Sequence, residues 1–211
     1  MLPARSNPFA MDRLARDLPF DPKWCGTTWA TLLSRLEDHD WRGLVAGIHG
    51  SGKSTFLDAL TPRLEARGFH THRLILNDEK TALDAADWER LATPAASTHR
   101  EFWLLDGAER LGPLAWRKFR NASGALGGLI ITAHRSTSPR LPLLLETRST
   151  PEMLAAFVLS LAPEWHPTPS EIAQLHRQTQ GNLREALWHC YDRLASEGTV
   201  EPLIQQGQVA D

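Results

Sequence analysis

The amino-acid sequence predicts an α/β fold with three layers, in which a parallel five-stranded sheet lies between helices and is followed by a small helical unit. Short, almost continuously apolar segments alternate with amphipathic segments between residues 44 and 147, which is typical of parallel strands buried on both faces. The alternation stops after Pro151, where only helical periodicity remains. The 211 residues, of which 42% are apolar, suffice for one well-cored domain with a small helical appendage.

The five expected strands are short apolar segments bounded by polar or glycine-containing sequence. They lie at residues 44–47, 72–77, 101–106, 128–134 and 142–147. The third of them, EFWLLD, is almost continuously apolar. We therefore expect a strand there that is covered on both faces.

Amphipathic segments predict the helices, which lie in the α/β part at 26–39, 53–67, 82–92 and 113–121. Thr27 or Thr28 can cap the first of these helices, and Gly68 lies where the second should end. Three more helices follow without another strand, at 151–162, 169–179 and 182–196.

These elements divide the chain into four parts. The parts are an N-terminal arm and helix (1–40), the α/β core (41–150), a helical unit (151–198) and a flexible tail (199–211). The arm is rich in proline and irregular, and the tail is a polar segment without helical periodicity.

The composition excludes some classes of function. Lys and Arg total 23 and Asp and Glu total 25, so a net charge of −2 gives the whole chain no attraction to nucleic acid or to an anionic membrane. No apolar run approaches the ~20 residues of a membrane-spanning helix, and the N-terminal segment lacks the apolar core of a secretory signal. Cys25 and Cys190 are far apart and lack metal-ligand spacing, which favours two reduced structural thiols. We expect a cytoplasmic protein.

The most specific motif, GIHGSGKS, lies between the first strand and the second helix and matches G-x-x-x-x-G-K-[ST] in full. Its glycines let backbone N–H groups turn toward an anion, and the next helix points its positive end at the same place. We expect Lys53 to reach the β- and γ-phosphates, Ser54 to bind Mg²⁺ and Thr55 to contact the phosphate edge. The expected nucleotide-binding residues of this phosphate loop and its helix are Gly47, His49, Gly50, Ser51, Gly52, Lys53, Ser54 and Thr55.

A nucleotide site of this kind needs a second acid that holds the metal ion at the end of a buried strand. Asp106 follows the apolar segment FWLL and is the candidate, with Ser54 as its partner at the metal. The alternative, in which Asp106 only caps the following turn, stays open. Together with the phosphate loop, Asp106 predicts a P-loop NTPase core.

The order of these motifs resembles that of the AAA+ ATPases over roughly residues 40–196. The matching segments are the phosphate loop, FWLLDGAERL, GLIITAHR and, in the helical part, GNLREAL. The resemblance implies ATP with Mg²⁺, a helical lid, a sensor at Thr132 or His134 near the γ-phosphate, and a second sensor at Arg184. As alternatives, Thr132 can be an ordinary strand residue, His134 an exposed loop histidine and Arg184 a solvated helix residue. The guanine-specificity motif N-K-x-D is not found after the fourth strand, which favours ATP over GTP.

The sequence departs from that family directly after Asp106, where many members carry the glutamate that polarises the attacking water. Gly107 occupies this place, and Glu109 is the nearest acid. Glu109 can reach the water if the turn after Asp106 is tight, or it can be an acid that stabilises a helix N-terminus. If Glu109 does not act, the chain binds ATP and hydrolyses it slowly, as a switch.

The leading hypothesis is an ATPase or slow nucleotide-dependent switch that acts on a protein or DNA–protein partner. Arg135 and Arg140 could reach the nucleotide of a neighbouring copy in a nucleotide-dependent homo-oligomer, or could lie in a solvated loop. A phosphate-loop small-molecule kinase and a non-hydrolysing ATP-binding module are the alternatives. The net charge does not support DNA as a partner but leaves it open, and no membrane partner is expected.

Overall fold

The computed structural model describes residues 7–9, 18–92, 98–134 and 141–197. Arg135, Arg140 and the tail at 199–211 lie outside these residues, as does most of the arm before residue 18. The described residues form two compact units. One contains those within the ranges 20–48 and 52–147, and the other contains residues 7–9, 18–19, 49–51 and 148–197. We call them the sheet unit and the helical unit.

In its described residues, the sheet unit contains five strands and four α-helices. The strands are β1 (Arg42–Ala46), β2 (His70–Ile75), β3 (Glu101–Asp106), β4 (Gly128–Ala133) and β5 (Leu143–Glu146), and the helices are α1 (Trp29–Asp38), α2 (Lys53–Glu65), α3 (Ala85–Ala92) and α4 (Pro113–Ala122). All strand pairs are parallel, in the order β2-β3-β4-β1-β5. This arrangement confirms the predicted parallel five-stranded sheet.

The sheet is buried on both faces because successive side chains of its central strands enter opposite cores. Leu104 packs with α1 and α2 in one core, whereas Leu105 packs with α3 and α4 in the other. Ile130 and Ile131 of β4 divide in the same way. These continuous apolar strands therefore form the middle layer of a three-layer fold.

Element boundaries differ from the prediction by up to three residues. Helix α1 begins at Trp29 and not at residue 26, because the Thr28 side chain accepts a hydrogen bond from the Thr31 backbone N–H and caps the helix. Strand β2 begins at His70 because it pairs there with Glu101 of β3. Local capping and strand pairing thus set the ends of these elements.

The helical unit contains α5 (Pro151–Leu161), α6 (Pro169–Gln178) and α7 (Leu183–Glu197). Its core includes Leu154, Ile172 and Leu187, one from each helix, together with Phe9 and Trp165. The Phe9 and Trp165 rings meet edge to face at 5.8 Å. The predicted helices after Pro151 are therefore present and share one apolar core.

Cys25 and Cys190 do not form a disulfide with each other. Cys190 is buried in the core of the helical unit, and burial raises the pKa of its thiol to about 12. Cys25 is half-buried. None of the helices in the described part of the chain is long and apolar enough to cross a membrane.

Gly128 provides a test of how closely β3 and β4 pack. A Cβ at Gly128 would lie 2.3 Å from the ring of Phe102, its register partner, whereas a Cβ at Gly124 would meet nothing within 4 Å. We expect Gly128→Ala to lower the free energy of unfolding by about 1–3 kcal/mol, the usual cost of overpacking. Gly124→Ala is the control and should stay within about 0.5 kcal/mol of wild type. Equal urea-unfolding curves for the two variants would contradict this packing.

Candidate nucleotide-binding site

The phosphate loop, residues 47–54, connects β1 to the start of α2. The Gly47 N–H donates to the carbonyl of Ala133 at 3.1 Å, which fixes the start of the loop at the end of β4. Gly52 precedes α2 with φ +93° and provides no side-chain cap. The first backbone N–H groups of α2 are therefore not used by a capping side chain, as an anion site requires.

Lys53 is folded back over the loop. Its ammonium donates to the carbonyls of Gly47 at 2.7 Å and Ile48 at 2.8 Å, and its side chain is buried. Burial lowers the pKa of Lys53, while the carboxylates of Glu109 and Asp106 act in the opposite direction. A cation held by two carbonyls inside a glycine loop can exchange these neutral acceptors for phosphate oxygens, which bind it more strongly.

Asp106 ends β3 and is held by hydrogen bonds from neighbouring elements. The Thr132 hydroxyl donates to Oδ1 at 2.6 Å and accepts from the Gly107 N–H at 2.9 Å. Burial acts to raise the pKa of Asp106, but hydrogen bonds from Thr132, Arg73 and Ser54 outweigh it, so the pKa is lowered. Asp106 is therefore a carboxylate anion at neutral pH.

The contact between Ser54 and Asp106 brings a hydroxyl and a carboxylate together at the edge of the sheet. Oxygen donors of this type suit Mg²⁺, which needs few protein ligands when a bound phosphate supplies others. The described residues contain no group of three or more His, Cys, Asp or Glu side chains that could hold a metal by themselves. The residues present thus fit a magnesium ion that is shared with a nucleotide.

The turn after Asp106 is tight and leads directly into a short 3-10 helix, Ala108–Arg110. Gly107 has φ +85°, and a Cβ there would lie 2.3 Å from the Leu76 carbonyl oxygen, so this turn requires glycine. Glu109 Oε1 lies 3.0 Å from Nε2 of His134, and Oε2 is buried without a hydrogen-bond partner among the described residues. Glu109 therefore has an acceptor oxygen that no described group uses.

Sequence reasoning missed Arg73, which lies in β2. Its guanidinium bonds to Asp106 Oδ2 at 2.8 Å and also to Asp58. An arginine within an expected strand was the available signal, but only the pairing of β2 with β3 reveals its partner.

Three expected site residues, His49, Gly50 and Ser51, belong to the helical unit, as does Arg184. Gly50 has φ +67°, and a Cβ there would lie 1.7 Å from Oδ1 of Asn182 and 3.3 Å from the Arg184 backbone nitrogen. The start of α7 therefore lies against the loop residue Gly50. Ser51 is buried, His49 is exposed and Thr55, on α2, is half-buried.

No protein-family model matches this chain, and no curated protein sequence matches it. Its fold is similar to Aeropyrum pernix Orc1 solved with DNA, with 17% identity, a TM-score of 0.58, and coverage of 92% of this chain and 65% of that one. Cdc6p from Pyrobaculum aerophilum gives 14% identity, a TM-score of 0.57, and coverage of 92% and 67%. The replication initiator DnaA, bound to AMPPCP and single-stranded DNA, gives 15% identity, a TM-score of 0.55, and coverage of 81% of this chain and 60% of that one.

These similarities extend over most of the present chain but over only 60 to 67% of the three solved structures. At such low identity they show similarity of fold alone. The expectation of a three-layer α/β fold with a parallel five-stranded sheet is confirmed.

Thr132 should be required for the structure around Asp106. We expect Thr132→Val to lower the free energy of unfolding, without nucleotide, by about 1–3 kcal/mol, because Asp106 and the Gly107 N–H both lose a buried partner. Thr61→Val is the control, since the Thr61 hydroxyl only donates to the Leu57 carbonyl within α2. It should change stability by less than about 0.5 kcal/mol in urea unfolding. Equal losses would mean that the Thr132 hydroxyl has no special structural role.

Proposed function

We propose that this chain binds ATP with Mg²⁺ at the phosphate loop, hydrolyses it slowly and uses the nucleotide as a switch. One observation carries the proposal. The buried ammonium of Lys53 lies in a glycine loop at an uncapped helix start, and Asp106 ends a strand of the same sheet.

Each part of the loop has a separate task in binding the triphosphate. The backbone N–H groups at the start of α2 would hold phosphate oxygens, and Lys53 would leave its two carbonyls to contact the β- and γ-phosphates. Ser54 and Asp106 would hold Mg²⁺, which supplies positive charge to the phosphate oxygens. Thr55, on the first turn of α2, would contact the edge of the phosphates.

Glu109 is the proposed general base. Its Oε2 is buried and has no hydrogen-bond partner among the described residues, and its charge acts on Lys53. His134 fixes the other oxygen at 3.0 Å, which would orient the carboxylate toward a water. Many members of the family that the chain resembles carry this base directly after the aspartate, whereas Glu109 lies three positions after Asp106, so we propose slow turnover. Thr132 would act through its bond to Asp106.

The helical unit is the proposed reporter of nucleotide state. The Arg184 backbone lies near Gly50, so its side chain could respond to the terminal phosphate and change the position of α7. Loss of the γ-phosphate would remove this contact and shift the equilibrium between two lid positions. Arg184 would thus act as a sensor and not as a catalytic residue.

The partner is proposed as a protein or a DNA–protein complex. Orc1 and DnaA were solved with DNA, but the net charge of −2 gives this chain no general attraction to it. Oligomerisation through Arg135 or Arg140 remains a hypothesis about residues outside the described part. Measurement of the mass in solution, with and without ATP and DNA, separates a monomer from a nucleotide-dependent homo-oligomer. A monomer in every condition would exclude an arginine that reaches the nucleotide of a neighbouring copy.

Lys53→Ala should weaken ATP binding by about 100-fold or more, because charge-assisted hydrogen bonds to phosphate are worth up to about 3 kcal/mol. Calorimetry with magnesium present measures the change. Arg67→Ala is the matched control, since Arg67 is an exposed cation whose partner at 3.8 Å is Glu37. Wild-type affinity in Lys53→Ala would contradict a nucleotide site at this loop.

Glu109→Gln should lower the rate of ATP hydrolysis by about 100-fold, the usual contribution of a general base, and leave ATP affinity within about threefold. Phosphate release under single-turnover conditions measures this rate. Glu37→Gln, which removes an exposed acid, should leave the rate unchanged. Full turnover in Glu109→Gln would exclude the base role, and no turnover in wild type would favour a non-hydrolysing binding module.

A further inference from the structure

Arg73 places a fixed positive charge at the carboxylate that is proposed to hold Mg²⁺. Its Nη2 lies 2.8 Å from Asp106 Oδ2 and 3.5 Å from the Ser54 carbonyl oxygen. Its Nη1 bonds to Asp58. The arginine therefore contacts α2 twice and the end of β3 once, on the metal side of the site.

Both carboxylate oxygens of Asp106 accept hydrogen bonds from side chains. Thr132 donates to Oδ1 and Arg73 donates to Oδ2. Arginine stays protonated at every accessible pH, so the charge that it brings cannot be removed. The negative charge of Asp106 is thus compensated by a cation of the chain itself.

The Arg73 side chain is also largely buried, which limits the positions that its guanidinium can adopt. Its side chain is about three-quarters buried, with an exposed fraction of 26%. Its Nε–H is buried and has no hydrogen-bond partner among the described residues. A buried donor without a partner is costly, so Arg73 holds its charge close to Ser54 and Asp106 with one donor unused.

We propose that Arg73 is a built-in cation that partly replaces Mg²⁺, so that this chain binds ATP almost as well without the metal as with it. The proposal rests on the nucleotide site described above. Metal-free ATP has more uncompensated negative charge than its magnesium complex and gains more from Arg73. Mg²⁺ is repelled by Arg73 and competes with it for Asp106, so both effects reduce the benefit of the metal.

The quantity that tests this proposal is the ratio of the ATP dissociation constant in EDTA to that in saturating Mg²⁺. We expect a ratio below about tenfold in wild type and a ratio about tenfold higher in Arg73→Gln, which is 1.4 kcal/mol of coupling. Metal-free affinity should fall in the variant, and half-saturation by Mg²⁺ should move to lower concentration.

Arg73→Lys separates charge from structure. Lysine keeps the positive charge but lacks the planar fork that bonds two carboxylates. If the charge of Arg73 determines the ratio of dissociation constants, Arg73→Lys has the wild-type ratio. If Arg73 has only a structural role, the ratio of Arg73→Lys resembles that of Arg73→Gln. Arg67→Gln, at an exposed arginine that pairs with Glu37, should match wild type.

A wild-type ratio above about tenfold overturns the proposal, as does an unchanged ratio in Arg73→Gln or a Gln-like ratio in Arg73→Lys. Urea unfolding shows whether each variant folds. If Arg73→Gln does not fold, the wild-type ratio by itself tests the proposal. Absence of ATP binding both in EDTA and in Mg²⁺ would instead contradict the proposed function. Tight binding in Mg²⁺ alone would leave that function standing and remove the role of Arg73.

Discussion

The buried carboxylate of Asp106 is the group on which the rest of the site depends. A charge removed from water must be compensated by hydrogen bonds or opposite charges. Here the donors come from Ser54 on α2, Arg73 on β2 and Thr132 on β4. One anion therefore connects a helix and three neighbouring strands at a single edge of the sheet.

The phosphate loop meets a different constraint, since it must present donors that no side chain uses. Gly52 leaves the start of α2 without a cap, and Lys53 satisfies itself with carbonyls of its own loop. Neither arrangement needs distant parts of the chain, apart from the bond of Gly47 to Ala133. These two features of the loop are thus local, whereas Gly47 depends on a strand that is distant in sequence.

The acids and bases around this loop depart from the family that the chain resembles. The residue after Asp106 is Gly107, whose positive φ makes the tight turn that brings Glu109 back toward Lys53. On the other side, Arg73 places a permanent cation at Asp106. The same fold can therefore support a different balance of charge around the phosphate loop, because the fold fixes backbone positions and leaves these side chains free to vary.

The sequence by itself determined the phosphate loop, the order of strands and helices, and the place of Asp106, because each of these signals lies in a contiguous segment. It could not reveal Arg73 as the partner of Asp106, which is 33 residues away, or His134 as the partner of Glu109. These pairs exist because β2 lies beside β3, and β3 beside β4. The tertiary structure decided them, since the order of strands in a sheet, and not spacing along the chain, selects which distant side chains meet.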